Sequence, residues 1–179
     1  MERTVEIPEG VTVEINGLHV KVSGPLGVLE RDFTKPFIED KIIIEKKDNT
    51  VVVKSTTERR KIKAMVGTIA GHLENMFTGV TKGFEYKLKV IYTHFPINLE
   101  IKGKEILIKN FAGEKTPRVA KIVGNVEVKI NGQEITVKGI NREEVGQTAA
   151  NLEQATRIRG RDIRVFEDGI YIVSKGENS

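Results

Sequence analysis

One stretch of this chain occurs twice. VEINGLHVKVSGPLG, starting at Val13, and LEIKGKEILIKNFAG, starting at Leu99, both open on apolar-Glu-Ile-x-Gly, run on as an alternating apolar segment and close on a Gly-containing loop. Ile15 matches Ile101, Gly17 matches Gly103 and Gly27 matches Gly113, each pair 86 residues apart. IIIEKKDNTVVVKS then aligns with VEVKINGQEITVKG at a spacing of 84, bringing Ile42 onto Val126, Val53 onto Val137 and Lys54 onto Lys138. VGTIAGHLE from Val66 aligns with VGQTAANLE from Val145 at 79. A spacing that falls in steps means that loops differ in length while elements persist. Two copies of one unit account for this, and a solenoid would need more.

Each copy has the same local pattern. Asn16-Gly17 and Asn131-Gly132 lie between alternating apolar runs. Asn-Gly suits a two-residue type I′ turn, because both central residues need positive φ. Asp48-Asn49 and Lys102-Gly103 occupy equivalent places, so each copy opens with antiparallel hairpins. The period then changes. Ile62, Met65, Val66, Ile69, Leu73, Met76 and Val80 fall at helical spacing, as do Val145, Ala149, Leu152 and Ala155. The run Ser55 to Glu58 has the form of a capping box, Asn141 to Glu144 can cap the second helix, and Gly79 is placed for a left-handed C-terminal cap. Gly67 and Gly146 sit inside these helices at a cost of about 1 kcal/mol each. Close packing of helix on sheet is the usual reason.

After each helix the alternation returns, at Phe84, Tyr86, Leu88 and Val90 and again at Ile163–Phe166 and Ile170–Val173 around Asp168-Gly169. The predicted fold is α+β, two tandem copies of a small antiparallel β-sheet packed against one α-helix. The predicted domains are 1–82 and 83–179. The strand from Phe84 could complete either sheet.

Composition narrows the chemistry. With 39% hydrophobic and 30% charged residues, the 179-residue chain can build cores under a charged surface. It has no cysteine, which excludes disulfides, thiolate zinc sites and cysteine nucleophiles. The N-terminus is polar, unlike a signal peptide, and the longest apolar runs, such as Ile42 to Ile44, are far too short to span a bilayer. His19, His72 and His94 stand apart, with no carboxylate at metal-ligand spacing, and read as surface or packing residues. Gly24-Pro-Leu-Gly27 is a turn and not a phosphate loop, since no lysine follows it. Glu143 and Glu144 fall in the first turn of a helix, where carboxylates complement the dipole. No serine, threonine or lysine has a base partner, so a catalytic role finds no support.

What remains is surface charge. The net charge is +4, with a pI near 9.2, which permits a nucleic-acid partner without requiring one. The charge is clustered. TRIRGRDIR, from Thr156, puts Arg157, Arg159, Arg161 and Arg164 at one junction. Lys109-Asn110-Phe111, then Lys115, Arg118 and Lys121, form a second basic region. Glu58 to Lys63 is basic as well, at the start of a helix, where cations oppose the dipole. Arginine has a planar fork that grips two phosphate oxygens and stacks on bases. Nucleic-acid binding is therefore one reading. A two-domain adaptor whose sheet edges bind proteins is another, and a hydrolase with an unrecognised site is a third.

VGQTAANLEQATRIRGRDIRVFEDGIYIV, together with HFPINLEIKGKEILIKNFAGEK and VTVEINGLHVKVSGPLG, resembles the large-ribosomal-subunit protein L-six family, in its archaeal and eukaryotic branch. The resemblance spans nearly the whole chain and agrees with the duplication. The ending RDIRVFEDGIYIV departs from the Tyr-, Lys- and Gly-rich ending of the bacterial branch. The resemblance implies a structural constituent of the large ribosomal subunit, cytoplasmic within the ribosome, with no catalytic activity, cofactor or metal. It implies binding of large-subunit ribosomal RNA near the factor-binding sarcin-ricin region, chiefly through the second domain. Neighbouring ribosomal proteins are the implied further partners, with a monomer in the particle and no membrane. Carried onto this sequence, the implied RNA-binding residues are Lys109, Asn110, Phe111, Lys115, Arg118, Lys121, Arg157, Arg159, Arg161 and Arg164. Phe111 has two readings, a stack on a flipped base or, more often for a loop phenylalanine, an anchor back on the core, and folded RNA would be recognised by backbone shape.

Overall fold

A computed structural model describes residues 2–38, 40–92, 95–157 and 168–177. The chain divides into two compact units, Met1–Gly83 and Phe84–Ser179. The first contains β1 (Glu2–Glu6), β2 (Thr12–Asn16), β3 (His19–Gly24), β4 (Gly27–Asp32), β5 (Ile42–Lys47), β6 (Thr50–Ser55) and α1 (Arg60–Thr81). The second contains β7 (Phe84–Ile91), β8 (Asn98–Lys102), β9 (Glu105–Lys109), β10 (Arg118–Lys121), β11 (Glu127–Asn131), β12 (Glu134–Gly139), α2 (Arg142–Ala155) and β13 (Gly169–Glu177).

The duplicated α+β plan is present, and among the described residues the second unit has one strand more, β13. In the first unit the sheets are β2-β3-β4 and β1-β6-β5; in the second they are β8-β9-β10 and β13-β7-β12-β11, all antiparallel. Each unit thus divides its strands between two sheets, and its single helix packs on both. β7 pairs with β12 and β13, so the strand from Phe84 belongs to the second unit. Its counterpart in the first unit is β1. Arg3 pairs with Val53 as Tyr86 pairs with Val137.

Burial follows the two periods. β7 alternates strictly, with Phe84, Tyr86, Leu88 and Val90 inward. α1 buries Ile62, Val66, Ile69, Leu73, Met76, Phe77 and Val80 against Val20, Val22, Val51 and Val53. α2 buries Val145, Thr148, Ala149 and Leu152.

Several local expectations are revised. The hairpins have two-residue loops, but only the first loop residue is left-handed: Gly17 (φ +64°), Asp48 (+50°), Gly103 (+61°) and Gly132 (+62°). Asn16 and Asn131 instead end their strands, paired with His19 and Glu134, because strand pairing extends one residue further into the turn. The capping box does not form. Ser55 belongs to β6, and α1 begins after Arg59, which makes no side-chain cap. Glu58 pairs with Lys63 at 2.6 Å instead. Gly79 is a buried helical residue. The left-handed residue after the helix is Gly83 (φ +79°), whose N–H donates to the Thr78 carbonyl at 3.0 Å. A Cβ at Gly67 would meet no atom within 4 Å, so close packing is not its reason. At Gly146 a Cβ would be 3.7 Å from the Tyr86 ring, an ordinary contact. Asn141 does cap α2, accepting from the Glu143 N–H at 3.0 Å. The hairpin expected at Asp168-Gly169 lies partly outside the described residues. Its second strand is within β13, paired with β7.

Candidate nucleic-acid interface

Side-chain parity in the β8-β9-β10 sheet sorts the second basic region into two faces. Directly opposed residues of an antiparallel pair share a face. Arg118 opposes Ile108, and Ala120 opposes Ile106. Ile106, Ile108 and Ala120 are buried, so Arg118 starts on the inward side. Lys109 and Lys121 have the other parity and lie on the outer face with Leu107 and Val119, the last 47% exposed.

Between β9 and β10 the chain makes a short 3₁₀ turn, Phe111–Gly113. Asn110, Ala112 and Gly113 are all left-handed, at φ +62°, +53° and +76°. For alanine this costs roughly 1–2 kcal/mol. The turn is anchored by Phe111, which is 1% exposed and part of the second unit's core. Of the two readings of Phe111 the structure has the core anchor, and its place among the RNA-contacting residues is corrected: its ring is buried, and one face is already covered. The Arg118 guanidinium lies 4.5 Å from the ring centroid.

Arg118 makes four hydrogen bonds within the second unit. Nε and Nη2 donate to the two Glu114 carboxylate oxygens at 2.9 and 2.8 Å, and Nη1 donates to the carbonyls of Ala155 and Arg157, both at 2.9 Å. Its assignment as a phosphate ligand is likewise corrected, because the inward parity of β10 turns it into a brace. It ties the basic loop to the carbonyl end of α2. Glu114, Arg118, Gln154, Ala155 and Arg157 together line an open groove of about 690 Å³.

The end of α2 is secured a second way. The Thr156 hydroxyl, 4% exposed as a residue, accepts from the Ile170 N–H at 2.9 Å and donates to the Glu153 carbonyl at 3.2 Å. The Glu153 carboxylate accepts from the Ile172 N–H at 3.1 Å. The chain is thus pinned just before Arg157 to the point where it resumes as β13.

The remaining expected residues divide as follows. Lys115, Lys121 and Arg157 are exposed. Lys109 is exposed and ion-paired with Glu100, whose carboxyl it holds below the ordinary range by hydrogen bond and charge. The Asn110 amide donates to the Pro96 carbonyl at 3.0 Å, a turn-forming use that takes one of its protons. Arg159, Arg161 and Arg164 lie outside the described residues.

Thr156 and Glu144 were missed in the sequence. Glu144 accepts from the Asn125 N–H at 3.1 Å, and the hydroxyl of buried Thr148 accepts from the Val123 N–H at 3.0 Å. A threonine at a helix end and a carboxylate in a first turn have local explanations, so neither signals a long-range bond. Glu143 and Glu144 do fall in the first turn of α2, where carboxylates complement the dipole, but the cap is Asn141 and the Glu144 carboxylate is used on Asn125. Among the described residues no group of His, Cys, Asp or Glu is arranged to hold a metal, and no helix is long and apolar enough to cross a membrane.

The fold and this region define a duplicated α+β scaffold, with cationic loops held by internal hydrogen bonds. The sequence pattern of ribosomal protein L6 matches residues 7–83 and 95–169, one span in each unit. Similar chains named large ribosomal subunit protein uL6 occur in Desulfurococcus amylolyticus (52% identical), Staphylothermus marinus (53%) and Methanosarcina mazei (51%). The alignments cover 97% of this chain and 94 to 96% of those relatives. The chain belongs to the ribosomal protein L6 family.

Proposed function

We propose that this chain is a structural constituent of the large ribosomal subunit, working in the cytoplasm within the ribosome and not as an enzyme. It binds large-subunit ribosomal RNA through its second unit, near the factor-binding sarcin-ricin region. Family membership and the names of the relatives support the ribosomal role. The resemblance alone supports the location on the RNA.

The observation that carries RNA binding is the bond from Arg118 to the Arg157 carbonyl. It holds the loop bearing Lys115 against the start of the arginine-rich junction. Lys115 and Arg157, far apart in sequence, are thereby carried on adjoining segments. The contacting residues on this reading are Lys109, Lys115, Lys121, Arg157, Arg159, Arg161 and Arg164, with Arg118 as their brace. Cations on rigid supports recognise folded RNA by the positions of its phosphates.

The test is the salt dependence of binding to a large-subunit RNA fragment. Each phosphate neutralised contributes roughly 0.7–0.9 to the slope of log K against log salt. Replacing Arg157, Arg159, Arg161 and Arg164 by Gln should flatten the slope by about 3. An unchanged slope removes these residues from the interface. Failure of the wild-type chain to sediment with large subunits after a moderate salt wash would favour the adaptor reading.

A further inference from the structure

The two units differ at one sheet edge. In the second, β7 has β12 on one side and β13 on the other. In the first, the equivalent strand β1 has β6 on one side, and among the described residues no strand on the other. We infer that the outer edge of β1 is a docking site for an extended segment of a neighbouring protein chain, with apolar residues alternating with Lys or Arg, laid beside β1 as β13 is laid beside β7. The inference rests on the ribosomal reading for the source of that neighbour.

The second unit shows what fills such a berth. Ile170 faces Val90, Tyr171 faces Lys89 and Ile172 faces Leu88. The corresponding residues along β1 are Ile7, Glu6 and Val5, from their shared pairing with β6 and β12. Apolar residues of the incoming strand would meet Val5 and Ile7 on the inner face. Tyr86 is 6% exposed in the covered unit, whereas its counterpart Arg3 is exposed.

The backbone is arranged for a partner. The Ile7 N–H donates to the Asn49 carbonyl on the β6 side. By alternation the N–H groups of Arg3 and Val5 point the same way, so those of Thr4 and Glu6 point outward. Pro8 has no N–H and ends the row.

The helix above repeats the correspondence. Glu153 on α2 receives the Ile172 N–H of β13. Its match on α1, at the same spacing of 79, is the exposed Glu74. Gly67 and Gly71 on α1 have open space where a Cβ would stand.

Charge selects the occupant. Glu2 and Glu6 lie on the outer face of β1, and Glu74 is the exposed match on α1 of Glu153. Charged residues on a short edge strand also deter indiscriminate pairing. Because these are carboxylates, a strand with cations opposite Glu6 and Glu2 is favoured and an acidic one is repelled.

Backbone hydrogen exchange tests this on the full chain, free and within purified large subunits. The Thr4 and Glu6 amides should exchange at least tenfold more slowly in the particle. A photoreactive side chain at position 4 should cross-link to protein and not to RNA. Thr4→Pro removes only an outward N–H, so the free chain should unfold at nearly the wild-type temperature while Glu6 loses its protection in the particle. Unchanged exchange in a chain that sediments with large subunits, or cross-linking to RNA, overturns the docking site and leaves the ribosomal reading standing. Failure of the chain to sediment with large subunits overturns both.

Discussion

The Nη1 of Arg118 donates to the backbone carbonyl of Arg157 at 2.9 Å, across 39 residues of sequence. The most basic side chain of one loop is thereby spent on the backbone of the other. Basic surfaces of this kind need such internal braces, because adjacent cations repel and have to be held where a phosphate can meet them.

Arg118→Ala should lower stability by about 2–3 kcal/mol, since charged hydrogen bonds are lost and a covered ring face is opened. Arg118→Lys should recover only part of this, because an ammonium cannot reach Glu114 and two carbonyls from one plane. Urea unfolding measures the loss. The salt slope of RNA binding should stay near wild type, and a drop of a full unit would return Arg118 to the list of phosphate ligands.

Thr156→Val keeps the shape and removes the hydroxyl. The buried Ile170 N–H then lacks its acceptor, at a cost of about 1–3 kcal/mol. Thr156→Ser should restore most of it. Exchange at the Ile170 amide reports the break directly.

Ala112 is left-handed at φ +53°. Ala112→Gly relieves that conformation but frees the unfolded chain, for a net gain of up to about 1 kcal/mol. Thermal unfolding checks the sign, and a loss would mean that the methyl group contributes more by packing than its backbone costs.

Gly67→Ala should stabilise the first unit by about 1 kcal/mol, since the added methyl group meets open space and alanine favours helix. A destabilised variant would restore the close-packing explanation.

Lys109 depresses the Glu100 carboxyl below its ordinary value of 4.5. A lowered folded-state pKa gives stability that is present above the unfolded value and lost as pH falls through the folded one. The difference between wild type and Glu100→Gln should therefore persist at pH 7 and vanish below the usual carboxylate range. Added salt should shrink it, because both groups are solvent-exposed. Unfolding at a series of pH values provides the check.

The repeat, the helical stripes and the alternation from Phe84 to Val90 were legible in the sequence, because burial imposes periods of 3.6 and 2 on which residues are apolar. Asn141 was legible too, since a cap acts within its own turn. The capping box at Ser55, the cap at Gly79 and the turn type at Asn16 and Asn131 were misread. In each case strand or helix continued a residue or more past the local signal, because long-range pairing and packing outweigh a single favourable turn residue.

In the basic region, composition alone determined that cations cluster after Ile108 and after Thr156. Only tertiary structure decided which of them face outward. Phe111 and Arg118 carry the same chemistry whether buried or exposed. Their direction depends on the register of β10 with β9 and on the distance from α2, neither of which is encoded in the neighbouring residues. The outer edge of β1, with no strand beside it among the described residues, is likewise invisible in its five residues. It becomes evident only when the equivalent strand is seen with a partner on both sides.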